Sequence, residues 1–195
     1  MNVFTKTFQA SLLPLMALLL LVSCEGRREG CLISGTCTAE PYSIAVLRTL
    51  GGEVLDSLGI SGDTFSFEVK GSIAEPYLAM VELRNPDDAE DCVEIPVGIE
   101  NGEVRISYGE IFRIGGTPLN DKVMVFFSGL SQLHDEMTSP ERKVAVEEIH
   151  LEFSHYYLRS ISYNTGNPLA EYIYNSYNSH LLGDDLGKAR KVLNK

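Results

Sequence analysis

The chain has 195 residues, with 16 Lys and Arg against 27 Asp and Glu, a formal net charge of −11. That length suits one sizeable domain, or a small domain with an appendage. The acidic balance argues against nucleic acid, whose binding needs clustered Lys and Arg, and against docking on anionic lipid by charge.

The first predicted element is an address. Lys6 precedes the apolar run Leu12–Val22, and Leu21-Val22-Ser23-Cys24 closes it. A basic start, an apolar centre and small residues before a cleavage point are the layout of a secretory signal peptide. A membrane-spanning helix needs roughly 20 consecutive apolar residues. This run is far shorter, and Glu25, Arg27 and Arg28 follow at once. Leu-Val-Ser-Cys resembles the lipobox of bacterial lipoproteins. That resemblance implies that the Cys24 sulfur takes diacylglycerol and that cleavage leaves Cys24 as the first residue. Two or more acyl chains, of the palmitate kind, anchor a protein stably. Cleavage would remove one base, Lys6, and no acid, so the mature chain is more acidic still. No run of Lys and acidic residues follows Cys24, so the expected location is the cell membrane or outer membrane, facing the periplasm rather than the cell surface.

The expected plan has a signal peptide at 1–23, a tether at 24–30, a β-sandwich at 31–116 and a helical segment at 117–195 packed on or next to it. Four cysteines are present: Cys24, Cys31, Cys37 and Cys92. None forms Cys-x-x-Cys. Cys31 and Cys37 share one extended stretch and would stand about 20 Å apart, too far to bond directly. A disulfide from Cys92 to either stays open; small buried side chains are the favoured reading.

From Cys31 the period is two. Cys31–Cys37 forms a mixed strand that Pro41 breaks. Ser43–Leu50 and Glu53–Ile60 flank Gly51-Gly52, a hairpin signal. After a turn at Ser61-Gly62-Asp63, Phe65, Phe67 and Val69 point one way and Thr64, Ser66 and Glu68 the other. Tyr77–Leu83 alternates in the same manner. Cys92–Ile99 does too, with Pro96 marking an edge strand. Asn101-Gly102 then predicts a hairpin to Glu103–Tyr108. About seven strands with regular turns predict an antiparallel β-sandwich, within an α+β chain.

After Gly115-Gly116 the period turns helical. Thr117 and Pro118 open a helix whose apolar residues include Leu119, Val123, Phe126, Phe127, Leu130 and Leu133. A second helix is expected from Pro140 to about Tyr163. It bears one stripe of Val146, Ile149, Phe153, Tyr156 and Tyr157 and another of Val144, Leu151 and Leu158. Pro168 opens a Tyr-rich helix that Gly183 ends, with a last turn or two at Asp184–Leu193.

Several of these stretches resemble one family. Ile33-Ser34-Gly35, Val54-Leu55-Asp56-Ser57 and Gly62-Asp63-Thr64-Phe65-Ser66-Phe67 are similar to a lipoprotein domain of unknown function. That domain stands at the N-terminus of thioredoxin-like (AhpC/TSA-type) thiol–disulfide oxidoreductases of Gram-negative gut anaerobes. Glu100–Val104, Gly116–Asn120 and Asn164–Leu169 extend the resemblance over about Cys31–Tyr177. The family's oxidoreductases continue into a thioredoxin domain with Cys-x-x-Cys. This chain has no such motif, so the resemblance implies a module without thioredoxin activity of its own and a thioredoxin-like partner. No catalytic residue carries over.

Candidate chemistry is sparse. Glu147-x-x-His150 and Glu152-x-x-His155 imitate di-metal carboxylate motifs, but those need facing helices and both copies lie on one. A solvated flank is the favoured reading. Asp87, Asp88, Glu90 and Asp91 lack the spacing of a calcium loop, so a solvated turn is expected. No catalytic, cofactor or metal residues are assigned. Tyr156, Tyr157, Tyr172, Tyr174 and Tyr177 form the candidate interaction face, since tyrosine is enriched at interfaces. The expected function is a lipid-anchored, non-catalytic module that binds an envelope protein. The alternative is a lipoprotein that binds peptide or glycan through strand edges or loops.

Overall fold

The computed structural model describes residues 29–194; the expected signal peptide at 1–23, Cys24 and residues 25–28 lie outside the described residues. Eight strands form two four-stranded sheets. The outer sheet holds β1 (Cys31–Cys37), β4 (Thr64–Val69), β7 (Gly102–Tyr108) and β8 (Arg113–Gly115), in the order β4-β1-β7-β8. The middle sheet holds β2 (Ile44–Thr49), β3 (Val54–Gly59), β5 (Tyr77–Arg84) and β6 (Cys92–Ile99), in the order β3-β2-β5-β6. The helices are α1 (Pro118–Thr138), α2 (Val146–Tyr163), α3 (Pro168–Tyr177) and α4 (Asp184–Leu193), with a short 3-10 turn at Asn178–His180. The chain is thus α+β, a sandwich-like pair of sheets with a helical layer.

Alternation builds the space between the sheets. Ile33 of β1, Phe65 and Phe67 of β4, and Val104 and Ile106 of β7 are buried. The middle sheet answers with Ala45, Leu47, Val81, Val97 and Ile99. Successive side chains of a strand point to opposite faces, so every second residue meets the facing sheet. Gly35 is required by this packing: a Cβ there would stand 2.0 Å from the Phe65 ring tip.

The middle sheet is buried on both faces. Leu78, Met80 and Glu82 of β5 point away from the sandwich core yet are also buried. Helices α1 and α3 cover that side, against β6 and β5. Gly98 lets α1 approach, since a Cβ there would lie 2.7 Å from Leu119 Cγ. Glu82 accepts hydrogen bonds from Arg84 Nε at 2.6 Å and Arg48 Nε at 2.8 Å, and Arg48 also pairs with Glu94. The bond from Arg84 holds the Glu82 carboxyl below the usual range; burial opposes this and Arg48 reinforces it. A buried charge is tolerated when it is paired in this way.

Several local expectations meet the structure. Gly51-Gly52 does turn β2 into antiparallel β3: Gly52 sits at φ 92° and its N–H donates to the Thr49 carbonyl at 3.0 Å. Pro96 does lie on an edge strand, β6. Asn101-Gly102, by contrast, closes no hairpin, because β6 and β7 belong to different sheets. The Asn101 carboxamide instead accepts from the N–H groups of Gly30 and Ile73, both at 3.0 Å, and donates to the Ile73 carbonyl at 2.8 Å. It thereby clamps three segments where the chain crosses between sheets. In the outer sheet β7 runs parallel to β1, while the other strand pairs are antiparallel.

The helical expectations need correcting at their ends. Pro140 opens no helix; α2 starts at Val146. Helix α3 ends at Tyr177, and Gly183 is instead the residue before α4. The second apolar stripe of α2 does not pack as one, because Leu151 is 43% exposed. Cys31 and Cys37 are buried, Cys92 is half-buried, and Cys37 and Cys92 are free thiols. Among the described residues no helix is long and apolar enough to cross a membrane.

Candidate functional site

The helical layer is organised around Gly129 of α1. With no side chain there, Tyr156 of α2 lies across α1; a Cβ at that position would be 2.6 Å from the Tyr156 hydroxyl oxygen. The hydroxyl donates to the Phe126 carbonyl at 2.5 Å, and the ring stacks on Phe126 with centroids 5.8 Å apart. Tyr157 stacks on Tyr177 at 4.6 Å, and Tyr177 meets Phe126 edge-on at 5.7 Å. Such offset and edge contacts suit the quadrupoles of the rings. Burial pushes the phenols of Tyr157 and Tyr172 up to about 12, and it raises Tyr156 and Tyr177 as well.

Of the five tyrosines singled out as an interaction face, Tyr157 is buried and Tyr156, Tyr172, Tyr174 and Tyr177 are half-buried. Tyr174 accepts a hydrogen bond from Arg190 Nε of α4 at 2.9 Å. Much of the aromatic surface therefore joins the helices to one another. The exposed apolar surface lies beside it. Val125 of α1 is 66% exposed and Tyr163 of α2 is 77% exposed. With Tyr156 between them they line a groove of about 410 Å³. Lys122 and Arg159 line it too, and neither makes an ion pair among the described residues. The groove offers apolar contact and two free positive charges on a chain whose net charge is −11.

The other sequence candidates are placed as follows. Asp91 accepts from Tyr42 and Asn85, each at 3.0 Å. Asn85 and Asp88 side chains accept from the backbone of Asp87 and Glu90, so the acidic loop is a chain of local turns. Glu147 and Glu148 are exposed. His150 lines a cleft of about 400 Å³ with Phe153, Tyr157 and His180. His155 stands 3.6 Å from Asp185 at the start of α4. Among the described residues no three His, Cys, Asp or Glu side chains are grouped to hold a metal ion. Cys24, the expected lipid attachment point, lies outside the described residues.

Sequence reasoning missed two features. One is the groove itself, because Val125 and Tyr163 fall outside the apolar stripes; an apolar side chain off its stripe was the available signal. The other is Asp185. It is 5% exposed and accepts from Ser154 Oγ and Lys188 Nζ, both at 3.0 Å. Burial would raise its carboxyl, but these hydrogen bonds and the neighbouring positive charges outweigh burial and hold it low. Ser154 Oγ in turn accepts from the Leu182 N–H at 2.9 Å. The cluster fixes α4 against α2, and nothing in the local pattern of an Asp-Asp pair foretells its burial. Compared with models of known protein families and with curated proteins, the chain matches none.

Proposed function

We propose that this protein is a lipid-anchored, non-catalytic module of the cell envelope that docks a protein partner in the α1–α2 groove. The observation that carries the reading is the pairing of exposed Val125 and Tyr163 with unpaired Lys122 and Arg159. Solvent-exposed apolar side chains gathered at one groove favour association, and aromatic and Arg side chains dominate the energetics of interfaces. The partner segment that fits is an apolar side chain flanked by carboxylates. The sequence resemblance suggests a thioredoxin-like envelope protein as its owner. Anchoring is assigned to acylated Cys24, with the domain facing the periplasm.

The test is site-directed photo-crosslinking in cells, with the crosslinker at Val125 or Tyr163 and a control at Glu53, the residue before β3. One protein captured from both groove positions and not from Glu53 is the expected result. Equal capture from all three positions would defeat the groove reading. Separately, Cys24→Ala should leave an uncleaved precursor or release the chain from membranes. Normal processing with membrane retention would remove the lipid anchor from the proposal.

A further inference from the structure

The outward face of the outer sheet carries a second pattern, remote from the helices. Strand register arranges its side chains in rows. Thr64, Thr36, Ser107 and Arg113 stand side by side across β4, β1, β7 and β8. The next row is Ser66, Ser34 and Arg105. These rows floor a cleft of about 890 Å³ with Leu58 of β3 at its rim. Strands lie about 4.8 Å apart and alternate residues about 6.6 Å apart, so the rows form a grid some 14 Å wide. The Arg113 guanidinium has no partner among the described residues. Among the described residues Arg105 pairs only with Glu103, at 3.1 Å, in an exposed contact. Such contacts are weak and exchange readily.

We infer that this cleft binds an acidic oligosaccharide, with a ring carboxylate on Arg113 and Arg105 and ring hydroxyls on the Ser and Thr grid. Three features favour that chemistry over others. Five hydroxyls, each a donor and an acceptor, match a ligand that is itself polyhydroxylated. The arginines present planar donor forks that suit a carboxylate, and they form a local positive site on a strongly acidic chain. The hydroxyls and guanidinium groups lie on the face of the sheet and not along its edges β4 and β8, where a peptide strand would add. Leu58, Phe65 and Ile106 add apolar surface to the lining, and a few placed polar groups in a largely apolar pocket suit a small ligand. The grid is polarised as well. The third row is Glu68, Leu32 and Glu103, so carboxylates stand at the end nearest Cys31 and arginines at the other. A ligand with charge at one end is thereby held in one orientation.

The experiment uses the full-length chain in detergent micelles, titrated calorimetrically with trigalacturonate. Its methyl ester, the same backbone without charge, and inorganic phosphate are the comparison probes. Saturable binding of trigalacturonate is expected, with the ester and phosphate each weaker by about tenfold or more. Arg113→Gln should weaken trigalacturonate by about tenfold, since charge-assisted bonds are the strong ones. Ser34→Val should weaken it several-fold, while Val125→Ser should leave it unchanged. Arg113, Ser34 and Val125 are not buried, so all three variants are expected to fold, which circular dichroism checks. No saturable binding up to about 10 mM would overturn the inference. So would equal affinity for the ester, equal affinity for phosphate, or insensitivity to Arg113→Gln. Each of these outcomes is independent of whether the α1–α2 groove docks a protein.

Discussion

The carboxamide of Asn120 stands where a further strand would pair with β6. Its oxygen accepts from the Gly98 N–H at 2.9 Å and its nitrogen donates to the Gly98 carbonyl at 2.8 Å. The same nitrogen donates to Thr117 Oγ at 2.7 Å. Gly98 lies on the edge strand β6 and turns both groups away from β5, so without Asn120 they would be buried and unpaired. Asn120 itself is fully buried. Leaving a buried backbone group unsatisfied costs about 1–3 kcal/mol. Asn120→Ala is therefore expected to destabilise the protein by about 2–4 kcal/mol, read as a lower urea midpoint with an unchanged slope. A loss under about 0.5 kcal/mol would mean that water or a backbone shift satisfies Gly98 instead. The edge position was legible in the sequence, because Pro96 cannot donate to a ladder on that strand. The cap was not, since Asn120 reads locally as one polar residue in the first turn of a helix.

At the scale of elements, the outer sheet was legible because burial on one face forces strict alternation, as in Thr64–Val69. Parallel and antiparallel pairs share that period, so the β1–β7 pairing left no local trace. Asn101-Gly102 misled for a related reason. A turn-forming dipeptide marks a change of direction and not the sheet in which the chain continues. Pro140 misled because residues 141–143 offer no apolar side chain to bury; Arg142 instead pairs with Glu136 and its N–H bonds back to Ser139. Most helical stability comes from packing rather than from propensity. The tyrosine stripe was legible as a stripe, and its inward packing is what the structure adds. That packing has a pH signature. Tyr157 and Tyr172 ionise at about 12 when folded, against an ordinary value of 10.0. The fold thus favours the neutral phenols. Their contribution is fully present below pH 10 and is lost as pH rises towards 12. Unfolding free energy should fall steeply across that window, and Tyr157→Phe should make the fall shallower. An identical slope in the variant would show that the Tyr157 phenol titrates alike in both states.

At the scale of the molecule, the layer order explains why the helices and sheets cannot be independent. An isolated sandwich keeps its outward faces polar, as the outer sheet does with its hydroxyl rows. The middle sheet instead buries Val46, Leu78 and Met80 on the face turned away from the outer sheet. Stripping off α1 and α3 would expose that face and leave Gly98 uncapped. Most buried apolar residues of both sheets and of the helices also belong to one hydrophobic cluster, running from Ile33 and Val81 to Phe126, Ile161 and Ile173. A continuous core predicts one cooperative transition. Six of the nine tyrosines lie in the helical layer and there is no tryptophan, so tyrosine absorbance reports chiefly on the helices. Hydrogen exchange of the β5 amides reports on the middle sheet. Urea unfolding followed by both probes should give the same midpoint and the same free energy. Loss of the tyrosine signal at lower urea, with β5 still protected, would show that the helical layer detaches first. The groove between α1 and α2 would then belong to a separately unfolding unit, and a partner bound there would stabilise the helices without stabilising the sandwich.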